Sequence, residues 1–253
     1  MERTTIKTIA YSALTAGILA ASQGVFAHTT LQTNRAVEGT RVYNNATIGH
    51  GCGGETGSLP VIANSIVFPD GTDSIITIGG VVQEGAILDD YLAWGGKISH
   101  IPSRDVFSQT KVNFGRGGEA GENAVGNHSW HGSLPAHGTV GLVPLRINGT
   151  FINPDSCANS VKLEVAIADV CKLTGVSGFA TPGVVNFWTP FVEGSLFNRA
   201  DGENEAASFT ITRDPANELP ETCNGVGVDV VVTPSAAQLN HDMPIPGVWP
   251  RRR

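Results

Sequence analysis

From Val161 to Cys171 the chain reads VKLEVAIADVC, with Val161, Leu163, Val165 and Ile167 alternating against Lys162, Glu164, Ala166 and Ala168. A period of two marks a strand with one face on a core. Cys157 and Cys171 stand at its two ends. At about 3.3 Å per residue such a strand spans roughly 33 Å, whereas a disulfide needs Cα atoms within about 7 Å. These two cysteines therefore do not pair with each other. Their partners are Cys52 and Cys223, in either order, so two disulfides fasten one strand to distant parts of the chain. No Cys-x-x-Cys occurs, which argues against a zinc ribbon, a thioredoxin-type redox pair and c-type haem attachment.

Around this strand, short apolar runs are separated by Gly, Pro, Asn and Asp, and 31 Gly with 14 Pro leave few windows for a long amphipathic helix. Strands are expected at Thr40–Ile48, Val61–Phe68, Ser74–Ile78, Val140–Ile147, Val161–Cys171, Val184–Trp188, Ala207–Thr212 and Val228–Thr233. The fold class is all-β: an antiparallel β-sandwich with long loops, stapled by disulfides, in a single domain from 28 to 253. Pro144 places its strand at an edge or a bulge. The stretch Gly79–Asn127 has the weakest periodicity and reads as a long connection with a short helix at Gly85–Trp94. Long ordered loops of this kind are disproportionately functional.

Arg3 and Lys7 precede an apolar stretch from Ile9 to Ala21, followed by Val25-Phe26-Ala27, a small-x-Ala cleavage pattern. Residues 1–27 read as a signal peptide, too short and too early for a membrane span of about 20 residues. The expected location is secreted, periplasmic or on the cell outer surface, where disulfides persist. Cleavage removes Glu2, Arg3 and Lys7 and leaves 226 residues with 14 basic and 22 acidic side chains. That balance argues against nucleic acid as a partner and favours approach of cations. Arg251-Arg252-Arg253 reads as a solvated terminus.

Cleavage after Ala27 exposes His28, whose free amine and imidazole together can chelate one copper ion. His50 lies in a glycine-rich segment beside Cys52, within reach of a site at His28 or hydrogen-bonded in a packed turn. Three of the seven histidines crowd into Asn127-His128-Ser129-Trp130-His131-Gly132-Ser133-Leu134-Pro135-Ala136-His137. Neutral imidazole suits copper and zinc better than magnesium or calcium, and the Gly, Ser and Pro residues describe a loop that can wrap an ion. Trp94 with His100 is a second tryptophan–histidine pair, whereas Trp188 and Trp249 lack a histidine nearby in sequence and read as core and tail anchors. His241 and Met243 lie in a Pro-rich tail and read as exposed. For calcium, the acidic loop from Arg199 to Glu205 and the turn from Pro69 to Asp73 offer closely spaced oxygens, neither with EF-hand spacing.

The segments His28-Thr29-Thr30-Leu31-Gln32, Gly49-His50-Gly51-Cys52-Gly53-Gly54 and Pro60-Val61-Ile62-Ala63-Asn64-Ser65-Ile66-Val67-Phe68-Pro69-Asp70-Gly71 resemble the copper-repressible surface copper-binding proteins of methanotrophic bacteria. Gly141-Leu142-Val143-Pro144-Leu145-Arg146 and Val232-Thr233-Pro234-Ser235-Ala236-Ala237-Gln238-Leu239-Asn240 extend the likeness over most of the chain. That resemblance implies one Cu(I) held by two histidines and a tryptophan oxidised to kynurenine, and allows a structural calcium. Trp130 is the candidate tryptophan. The family pattern has a histidine two residues after it, where this chain has Gly132; His128 and His131 flank Trp130 at other spacings. The leading histidine and the His-Gly-Cys-Gly-Gly segment are also similar to exported domains with a single-histidine copper brace. Three functions follow: a copper binder for scavenging or storage, with no enzymatic activity; a copper oxidase or monooxygenase using His28; and a metal-free adhesion or structural domain. Hydrolases are weakest, for no Gly-x-Ser-x-Gly or His-Glu-x-x-His motif occurs.

Overall fold

The computed structural model describes residues 28–53, 59–93, 98–116, 124–178, 180–181 and 183–251. Strands run in the order β1 (Thr30–Leu31), β2 (Arg35–Val37), β3 (Val42–Ile48), β4 (Val61–Val67), β5 (Ile75–Ile78), β6 (Val81–Val82), β7 (Ile98–His100), β8 (Phe107–Phe114), β9 (Ala124–Leu134), β10 (Gly141–Ile147), β11 (Ala158–Val170), β12 (Val185–Trp188), β13 (Ala207–Thr212) and β14 (Val228–Thr233), and one α-helix, α1 (Ala236–Asp242), follows. All eight expected strands form, most with ends shifted by only a residue or two. Each alternates apolar residues between turn formers, the pattern that fits a pleated, half-buried surface.

A four-stranded sheet, β1-β3-β10-β7, packs over a ten-stranded one whose main path is β6-β5-β14-β11-β4-β9-β8. Strand β11 is the spine of the larger sheet. Its first half lies between β13 and β14, its second between β4 and β12. Most pairings are antiparallel, but β14 runs parallel to β11 and β2 parallel to β13. Pro144 pairs with Asn45 on β3, while the short β7 reaches only Leu145, so Pro144 has a strand on one side alone.

The two disulfides are Cys52–Cys171 and Cys157–Cys223, closing loops of 119 and 66 residues and bracketing β11 at both ends. The odd-numbered residues of β11, Val161 to Ile167, face the four-stranded sheet and share a core with Ile48, Ile66, Leu145 and Phe209. On the opposite face Ala166, Ala168 and Val170 are covered by Phe187, Phe197, Leu239, Met243 and Trp249. The sandwich thus has a second, smaller core beneath its C-terminal arm.

Three expectations are corrected. The stretch 79–127 is not a connection, since β7, β8 and the start of β9 lie in it, and a three-residue 3-10 turn at Leu88–Asp90 stands where a helix was expected. The 127–137 segment is mostly strand rather than loop. Its alternation is hidden because Asn127 and Ser129 occupy core-facing positions usually held by apolar residues; Asn127 is satisfied there by His100 and by the Pro144 carbonyl. The C-terminal tail is also packed: Met243, Ile245 and Trp249 are buried, and the Arg251 amide donates to the Thr174 carbonyl. Among the described residues no helix is long and apolar enough to cross a membrane.

Candidate metal centre

The core-facing positions of β11 continue past Ile167 to Asp169, a carboxylate with no exposed surface. It accepts from the Thr29 hydroxyl at 2.5 Å, the Trp188 indole N–H at 2.7 Å and the Asn64 amide at 2.8 Å. Burial pushes its carboxyl above the usual range, and the three donors, together with His50, pull it back. Strand register explains the gathering: Asn64 on β4 and Asn186 on β12 stand opposite Asp169, and Trp188 stands two residues along on the same face. The Asn64 carbonyl oxygen and the Ser129 hydroxyl, neighbours in the same cross-strand row, have no hydrogen-bond partner among the described residues.

This network fixes the start of the described chain. Thr29 is tied to Asp169 across 140 residues, and His28 lies with its ring 4.8 Å from that of Trp188. His50 meets the same indole edge-on at 6.1 Å, with its Nδ1 2.5 Å from the Gly51 carbonyl. Gly51 permits the turn, because a Cβ there would lie 2.0 Å from the Leu59 carbonyl oxygen. Immediately after it, Cys52 is bonded to Cys171. On the outer side His28 Nε2 is 3.2 Å from Glu205 Oε1, Arg199 pairs with both Glu205 and Asp201, and its guanidinium carbon sits 5.9 Å from the Trp188 ring centre. Trp188, read as a core anchor, is therefore the residue on which two of the candidate histidines converge.

The other candidates fall elsewhere. His128 lies on β9, buried, with Ser65 and Lys111 opposite it on the neighbouring strands; its pKa is pushed down to about 3, by burial first and by Lys111 second. Trp130 is half-buried on the same face, against the C-terminal arm's core. His131 is exposed, with φ of 58°, where β9 carries two more residues than β4 between paired positions; its ring is edge-on to Trp130 at 6.5 Å. Such a bulge re-aims a side chain. His137 is exposed in the bend beyond β9. The three histidines of this segment thus differ in setting, one enclosed beside a lysine and two in solvent.

His100 is half-buried and bonded to Asn127 and Thr110. His241 is exposed on α1 beside buried Asp242. Trp94 and residues 1–27, read from the sequence as a signal peptide, lie outside the described residues. In each acidic loop considered for calcium an arginine already holds two carboxylates: Arg116 pairs with Asp70 and Asp73, and Arg199 with Asp201 and Glu205.

Among the described residues no three His, Cys, Asp or Glu side chains gather closely enough to hold a metal ion by themselves. Around Trp188 the side chains supply imidazole from His28 and His50, and a further nitrogen has to come from the main chain. Cleavage before His28 would create one, an amine that closes a six-membered chelate ring with the same residue's Nδ1. Two imidazoles and an amine form a nitrogen donor set suited to copper. No family model matches the chain, and no curated protein matches it either.

Proposed function

We propose that this chain is an exported copper-binding protein, serving copper scavenging or storage, whose ion is held at the mature N-terminus by His28 and His50 beside Trp188. The observation that carries the reading is the fixing of Thr29 and Trp188 to the same buried carboxylate of Asp169. An N-terminal residue ordinarily frays; here the next residue, Thr29, is anchored in the core, so His28 is presented in one place. The chain's own residues orient the donors: Asp169 fixes the strand start and the indole, the Cys52–Cys171 bond fixes the His50 turn, and both imidazoles contact Trp188. Bound copper would supply a redox-active, nitrogen-seeking cation, and the acidic surface favours its approach. The resemblance to the methanotroph surface proteins supports the copper reading, and the meeting of His28 and His50 at Trp188 favours the N-terminus over the β9 segment.

The test is elemental metal content of the mature protein, purified from its own secretion route with its N-terminus confirmed by intact mass. Three variants accompany it: one with an alanine added before His28, His50→Ala, and His128→Ala/His131→Ala. About one copper per chain is expected in wild type and in the β9 variant, with loss in the other two. Copper lost only in the β9 variant would return the site to that segment, and no copper in any form, even after reconstitution, would overturn the reading. Peptide mass mapping of Trp130 and Trp188 in the same samples reads tryptophan oxidation directly.

A further inference from the structure

Chelation by an N-terminal histidine uses the amine and Nδ1, because Nε2 of the same ring points away from its own main chain. That outer nitrogen is the atom facing Glu205, at 3.2 Å. Glu205 is itself held: Arg199 grips its other oxygen, its backbone amide donates to the Thr189 carbonyl at 3.4 Å, and Arg199 in turn lies over Trp188, the indole against which His28 rests. Ring, carboxylate, guanidinium and indole form a closed circuit around one imidazole.

Resting on the reading above, we infer that Glu205 is a positioning residue that accepts the His28 Nε2–H, fixes the ring in that tautomer and so keeps the lone pair on Nδ1, beside the amine. An ionised carboxylate only accepts hydrogen bonds, and a neutral imidazole carries one N–H, so an N–H directed at Glu205 leaves Nδ1 as the acceptor nitrogen. Carboxylate partners of this kind orient metal-binding histidines and raise their basicity, and their loss typically weakens metal binding by about 10–100-fold. Arg199 keeps Glu205 in place and balances its charge. Glu205 is thus assigned to the ring and not to the metal.

The experiment uses metal-free mature protein, labelled with nitrogen-15, at about pH 8.5, on the alkaline side of the reference imidazole range. Long-range proton–nitrogen correlation spectra report which ring nitrogen of His28 bears the proton, and Cu(II) titrations with electron paramagnetic resonance follow on the same samples. Wild type should show the Nε2–H tautomer. Glu205→Ala should show a mixture and bind copper about 10–100-fold more weakly with the same nitrogen donors, and Glu205→Gln, whose single oxygen is taken by Arg199 so that its N–H₂ faces Nε2, should move the ring toward the Nδ1–H tautomer and weaken binding as well.

A wild-type Nδ1–H tautomer overturns the inference, as does an alanine variant unchanged in tautomer and affinity. Loss of an oxygen donor from the copper spectrum of Glu205→Ala also overturns it, by making Glu205 a ligand. If the tautomer responds as expected and no form binds copper, the assignment of Glu205 to the ring stands and the copper reading alone fails.

Discussion

Replacing Asp169 separates two things that its carboxylate provides, an acceptor for three buried donors and a negative charge. In Asp169→Ala the Trp188 indole N–H and the Asn64 amide are left without their acceptor in the core, while the Thr29 hydroxyl can rotate to another acceptor. Two stranded donors at about 1–3 kcal/mol each give a loss of roughly 2–6 kcal/mol, a large part of the 5–15 kcal/mol typical of a domain. Asp169→Asn keeps one oxygen for Thr29 and Trp188 and turns an N–H₂ toward Asn64. The Asn64 side-chain oxygen has no partner among the described residues, so rotating that amide by half a turn supplies the acceptor. The asparagine variant is therefore expected within about 1 kcal/mol of wild type. Urea unfolding of the oxidised, metal-free mature protein, followed by tryptophan fluorescence and far-ultraviolet circular dichroism, gives both numbers. Equal losses in the two variants would refute the reasoning, because charge and not acceptor count would then hold the network together.

Two further outcomes are expected. Because His128 has its pKa lowered to about 3, the unfolded chain takes up a proton below about 6.5 that the folded protein refuses. Stability is then full above that pH and falls as pH drops through the window, by up to about 1.4 kcal/mol per unit. His128→Gln should flatten this slope in urea midpoints measured from about pH 7 to 4; the raised carboxyls of Asp169 and Asp242 act in the opposite direction but are common to both proteins. From loop lengths of 119 and 66 residues, deleting either disulfide should cost about 4–5 kcal/mol on the chain-entropy account. Isothermal titration with copper should show weakened binding only in Cys52→Ala/Cys171→Ala, which frees the His50 turn, and equal weakening in Cys157→Ala/Cys223→Ala would contradict the placing of the site.

The sequence was most readable where physics is local. The alternation of β11 and the distance it spans excluded the Cys157–Cys171 pairing, and the structure shows the Cys52–Cys171 and Cys157–Cys223 arrangement. Strand β9 escaped notice because Asn127, His128 and Ser129 are polar yet enclosed, so burial left no hydrophobic trace. Helix α1 did leave one: Ser235 and Gln238 match the spacing of a capping box, and the Ser235 hydroxyl accepts from the Gln238 amide. Asp169 was also visible in principle, as the one charge in an otherwise apolar series on the inner face of β11. His28 and His50 could be named as candidates, but their meeting at Trp188, more than a hundred positions away, depends on how β11 pairs with β12. The roles of Arg199 and Glu205 depend on tertiary placement of the same kind.

The bracketing of β11 by its two disulfides has a consequence for register. A strand that slides by one position against its neighbours exchanges its two faces, and for β11 that would turn Asp169 out of its nest of donors and into the apolar layer beneath Leu239 and Trp249. Parallel pairing to β14, with a shift in register between Ala158 and Ser160, leaves such a slip locally conceivable at the front of the strand. With Cys157 and Cys171 each bonded to a different part of the chain, both ends are indexed covalently, like a rule pinned at two marks. Oxidation then does more than tighten the fold: it selects the one alignment in which Thr29 has a carboxylate to dock on.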